Sequence, residues 1–252
     1  MSEQGIKDMD TESYTKMTAD VYDALYSWKD YETEAETIKG FIARFKQTDG
    51  NELLDVACGT GLHLPFLADD FEITGVDLSQ GQVDEAKKRL PQLTFAQGDI
   101  RDFDMHHQYD VVTCLFSSIG YVYPQLELEK AVVNMANHLK PGGVLFIEPW
   151  LTKETYNPNK KTHVLVGEKP EKSLKVTRTT SHGVDGDQTV MTMHHLVERQ
   201  EGTDEFTEEH RLALYSRDDF QKVFEAAGLP MDYDEHGISG RGLYIGCKPA
   251  LA

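Results

Sequence analysis

The sequence predicts an α/β protein built on a doubly wound, mostly parallel sheet, with an antiparallel β extension. Three observations predict it. From residue 51 to residue 148 short apolar runs alternate with segments of helical spacing, which is the pattern of repeated βα units. Most of these runs end in an acidic or glycine-bearing turn: Asp55 to Gly61, Asp77, Gln97-Gly98-Asp99 and Glu148. After Trp150 the texture changes to alternating, β-rich segments around an Asp185-Gly186 turn.

Taken in order, residues 30–47 carry apolar positions at helical spacing and stop before Thr48-Asp49-Gly50. A strand follows over 51–57, a helix over about 61–69 and a strand over 72–77. Ser79 then has the chemistry of an N-cap for a helix that closes near Leu90-Pro91. Leu93 to Ala96 is a short strand, and Tyr109 to Phe116 is a continuous apolar run suited to a parallel strand covered on both faces. A helix over about 125–139 ends at Lys140-Pro141-Gly142-Gly143, before the strand Val144 to Glu148. Val190 to Val197 and Thr207 to Tyr215 read as antiparallel strands. Ser216-Arg217-Asp218-Asp219 reads as a capping box before a helix that ends at Gly228, and Gly242 to Lys248 as the last strand. The resulting organisation is a helical lid or acceptor segment at 1–50, an α/β core at 51–150, an antiparallel extension at 151–215, and a helix and strand completing the core at 216–252. The extension is expected to form a lid or a subunit contact, which would make a homodimer.

A chain of 252 residues, 39% hydrophobic and 27% charged, reads as an ordinary globular protein with a full core. No apolar run approaches the roughly 20 residues of a membrane helix, so no membrane partner is expected. The opening MSEQGIKDMDTESYTKM lacks the apolar centre of a secretory signal. Cys58, Cys114 and Cys247 lack metal-ligand spacing and read as thiols in a reducing compartment, so a cytoplasmic location is expected. The formal charge of −18, from 25 Lys+Arg against 43 Asp+Glu, repels polyanions at long range and speaks against nucleic acid as a partner. His106-His107 and His194-His195 are adjacent pairs, which in strands point to opposite faces, and no metal site is expected.

The run Leu53 to Leu64 (LLDVACGTGLHL) describes a buried strand, a tight glycine loop and a helical start. Such a loop at the carboxyl edge of a parallel sheet binds the nucleoside end of a cofactor. A dinucleotide site wants G-x-G-x-x-G, with a small residue three beyond the second glycine. Here that position is Leu64, and Asp55 stands ahead of Gly59 and Gly61. An acidic side chain is poorly placed for a pyrophosphate and well placed for a cation. S-adenosylmethionine (SAM), which carries an ammonium and a sulfonium and no phosphate, fits better. Asp77, about twenty residues on, is placed to chelate ribose hydroxyls. Asp99 can accept from an adenine amino group while Ile100 covers the ring.

The set LLDVACGTG, GVDLS, QGDIRDF, YDVV and LKPGGVLFIEPW resembles the class I SAM-dependent methyltransferases, whose Rossmann-like fold implies a seven-stranded, mostly parallel sheet. VYDALY, FSSIGY, EPW and SGRGLYIG narrow the resemblance to the N,N-dimethyltransferases that finish nucleotide-linked 3-amino deoxysugars, such as those of desosamine and mycaminose biosynthesis. It runs from about Val21 to Gly246. By position it implies SAM contacts at Tyr22, Ala57, Asp77, Leu78, Asp99, Ile100 and Phe116, and an acceptor framed by Tyr26, Tyr121, Glu148, Trp150 and Arg241. Glu148, Tyr121 and Tyr26 are the expected catalytic set; Trp28, Tyr31 and Ser118, in the adjoining segments, extend the acceptor side. The chain departs from the resemblance in a short Ser27-Trp28-Lys29-Asp30-Tyr31 segment, and in carrying Tyr121 where some relatives have His.

The implied activity is methyl transfer to the amine of a small-molecule acceptor, a nucleotide-linked amino sugar being the narrowest reading. Alignment of a neutral amine lone pair supplies most of such a reaction's acceleration, and Glu148 is placed to accept the amine's hydrogen bond or proton. Arg241, between two glycines, can grip a phosphate through a bidentate fork. Tyr22 and Tyr26, four apart, share a helix face as a cofactor lid or as packing. Another amine or a hydroxyl as acceptor, or a SAM-binding module without turnover, remain alternatives at this level.

Overall fold

The computed structural model describes residues 18–157 and 162–250, which fall into two compact units. The first, residues 30–156 and 213–250, is the α/β core; the second, residues 18–29, 157 and 162–212, is a helix on an antiparallel sheet. The segment expected as residues 1–50 contributes to both, and its first 17 residues, with the stretch tested above for a secretory signal, lie outside the described ones. No helix among the described residues is long and apolar enough to cross a membrane.

In the core unit, α2 (Tyr31–Phe45) starts where the Asp30 side chain accepts from the Thr33 amide at 3.0 Å. It buries Ala35, Ile38 and Ile42 at helical spacing. Strands β1 (Glu52–Val56), β2 (Glu72–Asp77), β3 (Thr94–Gln97), β4 (Tyr109–Cys114), β5 (Leu139–Ile147), β10 (Met231–Asp234) and β11 (Leu243–Cys247) form one sheet in the order β10-β11-β5-β4-β1-β2-β3. β3 to β5 are parallel to their neighbours through β1 and β2, and only β10 and β11 run antiparallel to the strands beside them. This is the seven-stranded, mostly parallel sheet that the sequence predicts. From β1 the chain turns first to β2 on one side and later to β4 on the other, so the strand order switches direction at β1. That is where open α/β sheets bind ligands.

Both faces of the sheet are covered, which explains its continuous apolar runs. Leu54, Val56, Val112 and Leu145 pack with Leu128, Val132 and Met135 of α4 (Gln125–Asn137) and Phe220 and Phe224 of α5 (Arg217–Ala226). Leu53, Val111, Val144 and Phe146 face the other way, against Ile38 and Ile42 of α2 and Val83 and Ala86 of α3 (Gln80–Arg89). Ser79 caps α3, its hydroxyl accepting from the Gln82 amide at 3.4 Å, and Ser216 and Asp219 close the capping box that starts α5.

Three local expectations change. In place of a helix over 61–69 there is one 3-10 turn, Leu64–Phe66, between turns: Gly61 holds a left-handed φ of 74° and Pro65 brings no amide donor. The strand expected to reach Phe116 stops at Cys114, because Phe116 and Ser117 both take positive φ. β5 begins five residues early, at Leu139: Gly142 and Gly143 exchange backbone bonds with Lys248, so the Pro-Gly-Gly stretch pairs instead of looping out.

In the second unit, β6 (His163–Lys169), β7 (Leu174–Asp185), β8 (Gln188–Arg199) and β9 (Gly202–Ala213) form a four-stranded sheet in that order, with β7 and β8 joined at the Asp185-Gly186 turn. Helix α1 (Ala19–Leu25) lays Val21, Ala24 and Leu25 on Leu174, Val176 and Val197. Its approach to β6 is closer than any side chain would permit: a Cβ on Gly167 would stand 2.1 Å from the Ala24 carbonyl oxygen. Lys169 and Asp23, 3.1 Å apart, tie helix and sheet at the rim.

Farther along the same buried face the row turns polar. Arg178 stands opposite His195 in the β7–β8 register and donates to the Tyr26 hydroxyl at 2.9 Å. His194 is 49% exposed and His195 wholly buried, the opposite facing that adjacent strand residues must have. Burial pushes the His195 imidazole down to about 4, with the Arg178, His210 and His194 charges adding to it.

His195 therefore stays neutral when folded, while an unfolded chain would take up a proton below its ordinary value near 6.5. Stability falls as pH drops from about 6.5 to 4, by at most about 1.4 kcal/mol per pH unit from this one group. Denaturant titrations of wild type and His195→Phe across that window are expected to show a shallower pH slope in the variant. Parallel slopes would refute the assignment.

Candidate active site

The carboxyl ends of β1 to β5 carry most of the core unit's residues that the sequence singles out. After β1 the chain passes through Ala57 and Gly59 at φ 58° and 56° and Gly61 at φ 74°. Ala57 is a left-handed non-glycine, a conformation that costs of order 1–3 kcal/mol and gathers at functional sites. A Cβ on Gly59 would meet nothing within 4 Å, so the loop is open on that side.

Asp77 ends β2 and clamps this loop. One of its carboxylate oxygens accepts from the Gly59 amide at 2.8 Å and the other from the Ser79 amide at 2.9 Å. Each oxygen keeps a second lone pair for a hydroxyl donor. Burial raises the Asp77 carboxyl, with the two amides opposing. One strand over, Asp55 is 5% exposed and accepts from the Thr113 hydroxyl at 2.7 Å. Burial, against that hydrogen bond and with the nearby Asp77 charge, brings Asp55 up to about 7.

At the end of β3, Asp99 has a partner that sequence reasoning missed. Arg101 returns over the turn and grips it through its backbone amide at 3.0 Å, its Nε at 2.8 Å and its Nη2. Burial would raise Asp99, but these bonds outweigh it and hold the carboxyl below its ordinary range. Leu78 lies between Asp77 and the Ser79 cap, its carbonyl taking a hydrogen bond from the Gln97 side chain. Ile100 is buried, its carbonyl bonded by Asn134.

The ends of β4 and β5 interlock. Glu148 is 2% exposed; one oxygen accepts from the Phe116 amide at 2.7 Å and the other from the Ser239 hydroxyl. Phe116 and Ser117, at φ 53° and 65°, lead into the 3-10 turn Ser118–Tyr121, which carries both Ser118 and Tyr121. Arg241 donates from Nη1 to the Ser117 hydroxyl at 2.9 Å and lies over the rings of Phe116 and Trp150, 5.5 and 5.3 Å from their centroids. Ser117 in turn donates to the Pro149 carbonyl at 2.8 Å.

The structure thus joins Asp77 to Gly59, and Glu148 to Phe116. It sets Arg241 against Phe116 and Trp150. Tyr31, first in α2, packs edge-on to His63 in the loop after β1 at 4.8 Å. Tyr22, Tyr26 and Trp28 belong to the second unit. There the rings of Tyr22, in α1, and Tyr26, its C-cap residue, are 4.5 Å apart, and Trp28 is 64% exposed. Thr113, Ser117 and Ser239 were not singled out from sequence, although Ser117 lies inside FSSIGY and Ser239 two places before Arg241. Among the described residues no group of three or more His, Cys, Asp or Glu could hold a metal ion.

A family model described as a methyltransferase domain matches residues 53–143. The chain is 36% identical to the dTDP-3-amino-3,6-dideoxy-alpha-D-glucopyranose N,N-dimethyltransferase of Streptomyces fradiae, covering 94% of this chain and 93% of that protein. It is 38% identical to the dTDP-3-amino-3,4,6-trideoxy-alpha-D-glucopyranose N,N-dimethyltransferase of Streptomyces venezuelae, covering 90% and 96%. Among solved structures, DesVI from Streptomyces venezuelae superposes with a TM-score of 0.86 at 38% identity, over 92% of this chain and 98% of that one. The SAM-bound amino pentose methyltransferase CalS10 from Micromonospora echinaspora superposes at 0.81 and 32% identity, over 90% and 96%.

A carboxyl near 7 gives Asp55 a measurable signature. Holding a cation there requires the charged form, so uptake of SAM at pH 6 is expected to release a proton. Calorimetric enthalpies in buffers of different ionisation enthalpy should then differ, and Asp55→Asn should abolish the difference. A buffer-independent enthalpy in the wild type would rule out Asp55 as the cation's partner.

Proposed function

We propose that this chain, which belongs to the class I SAM-dependent methyltransferases and within them to the nucleotide-linked amino-sugar N,N-dimethyltransferases, methylates the amine of a nucleotide-linked deoxy amino sugar. The observation that carries the acceptor assignment is the pairing of a buried carboxylate, Glu148, with a ring-stacked guanidinium, Arg241, at adjacent strand ends. A substrate with a basic nitrogen at one end and a diphosphate at the other needs both.

The open face of Gly59, the left-handed Ala57 and the spare lone pairs of Asp77 fit the nucleoside and methionyl parts of SAM. In this reading Asp77 takes the ribose hydroxyls, and Asp55 with the backbone of Ala57, Gly59 and Gly61 takes the methionyl end. Leu78, Asp99 and Ile100 take the adenine, and Phe116 the remaining surface. When bound, SAM supplies a methyl group already activated by its sulfonium.

The chain's own task is alignment and proton management. Glu148 accepts a hydrogen bond from the acceptor amine, which points the nitrogen lone pair away from the carboxylate and toward the donor side. After transfer the nitrogen is cationic, and Glu148 stabilises it or takes its proton. A second methylation needs that proton gone, since only a neutral nitrogen has a lone pair. Tyr121 orients the amine, while Tyr31, Ser118 and Trp150 line the sugar. Arg241 grips the diphosphate through its fork, its plane held by the aromatic rings.

The same reading places the enzyme in the cytoplasm, which the three free cysteines support. The charge of −18 supports a partner list without nucleic acid. A homodimer is supported by the edge strand β6, where Val164 and Val166 are exposed.

Incubation with methyl-labelled SAM and a panel of thymidine-diphosphate amino sugars should yield doubly methylated product by mass spectrometry. No product from any amino sugar, alongside turnover of another amine, would overturn the acceptor class. Glu148→Gln should lower kcat on the order of 10²-fold with SAM affinity nearly intact. Arg241→Ala should raise the acceptor KM; an unchanged KM would point to an acceptor without phosphate.

A further inference from the structure

We propose that Ser239 and Ser117 are positioning residues that bind Glu148 and Arg241 into one hydrogen-bonded ring, resting on the acceptor roles proposed for those two residues. Diphosphate recognition and the amine-side carboxylate are then built as a single piece. Four bonds close the ring. The Phe116 amide donates to one oxygen of Glu148, and the Ser239 hydroxyl donates to the other. Arg241 donates to the Ser117 hydroxyl, which donates onward to the carbonyl of Pro149, the residue after Glu148. Chain continuity supplies the remaining links: Phe116 precedes Ser117, Glu148 precedes Pro149, and Ser239 lies two before Arg241.

Each hydroxyl has a defined direction. Ser117 spends its one proton on Pro149, so its lone pairs face the guanidinium. Ser239 spends its proton on Glu148. With a different hydrogen-bond donor on each oxygen, the buried carboxylate cannot rotate without losing a partner.

The loop that carries Ser239 and Arg241 is itself rigidly folded. Gly237, Gly240 and Gly242 take φ of 56°, 82° and 86°. A Cβ on Gly237 would lie 2.4 Å from the Gly242 carbonyl oxygen, and one on Gly242 would lie 2.2 Å from the Tyr233 hydroxyl. The Asp234 side chain accepts the His236 and Gly237 amides at 3.0 and 2.8 Å. A serine on such a loop is a fixed donor, and a reacting group held by fixed donors needs no reorganisation when the acceptor arrives.

The alternative is that the serines merely fasten loops, which would appear as lost stability and not as a selective kinetic defect. Double-mutant cycles separate the two. Ser239→Ala is expected to lower kcat roughly tenfold, with SAM affinity and melting temperature close to wild type, and Ser239→Thr, which keeps the hydroxyl, to restore most of it. In the Glu148→Gln background Ser239→Ala should cost nothing further. Ser117→Ala should raise the acceptor KM more than it lowers kcat, and should leave KM unchanged in the Arg241→Ala background. Wild-type kinetics in both serine variants while Glu148→Gln and Arg241→Ala are impaired would overturn the positioning role alone, as would full additivity in both cycles. Unimpaired Glu148→Gln and Arg241→Ala would overturn the acceptor roles and the ring with them.

Discussion

The bond between the Asp77 carboxylate and the Gly59 amide is the constraint on which the loop after β1 depends. The Cys58 amide ties the loop to the Val76 carbonyl at 3.1 Å, and the Asp77 bond to left-handed Gly59 is its second attachment to β2. Asp77 ends the strand beside β1, so its side chain and the Val76 carbonyl together set the loop's height over the sheet edge. The backbone amide of Ser79 pins its second oxygen. The carboxylate is desolvated in the process, which raises it, and the two amides it receives oppose that rise only in part.

The loops after β4 and β5 follow the same logic with different chemistry. There the strained residues are Phe116 and Ser117, whose positive φ turns one amide toward Glu148 and one hydroxyl toward Arg241. Left-handed non-glycine residues persist only where the surroundings over-determine them. In the core unit both Ala57 and this pair sit directly after strands that flank the switch in strand order. The fold delivers the loops; hydrogen bonds between loops decide where the side chains stop.

Much of this was legible in the residues. Amphipathic spacing marked α2, hydroxyl chemistry marked the caps at Ser79 and Ser216, and Asp185-Gly186 marked the hairpin. The strand-end aspartates and Glu148 could be located because each follows an apolar run. What was not legible depends on partners remote in sequence. Ser239 meets Glu148 across 91 residues of chain and Arg241 meets Ser117 across 124, and no local pattern announces either. Arg101 escaped for the opposite reason: it lies so close to Asp99 that a turn residue and an ion-pair partner look alike. In place of the helix expected over 61–69, left-handed Gly61 and Pro65 leave one 3-10 turn, and the edge strand Met231–Asp234 is too short to carry a pattern at all.

Gly167 illustrates how an omitted group can place others. With no methyl to hold it off, the backbone of α1 settles directly on β6, and every residue of that helix inherits its height from the contact. Tyr22 rides on that helix and Tyr26 caps its end, so the stance of two aromatic rings is governed by a position on strand β6. Evolution could retune those rings without altering them, simply by thickening the seat beneath.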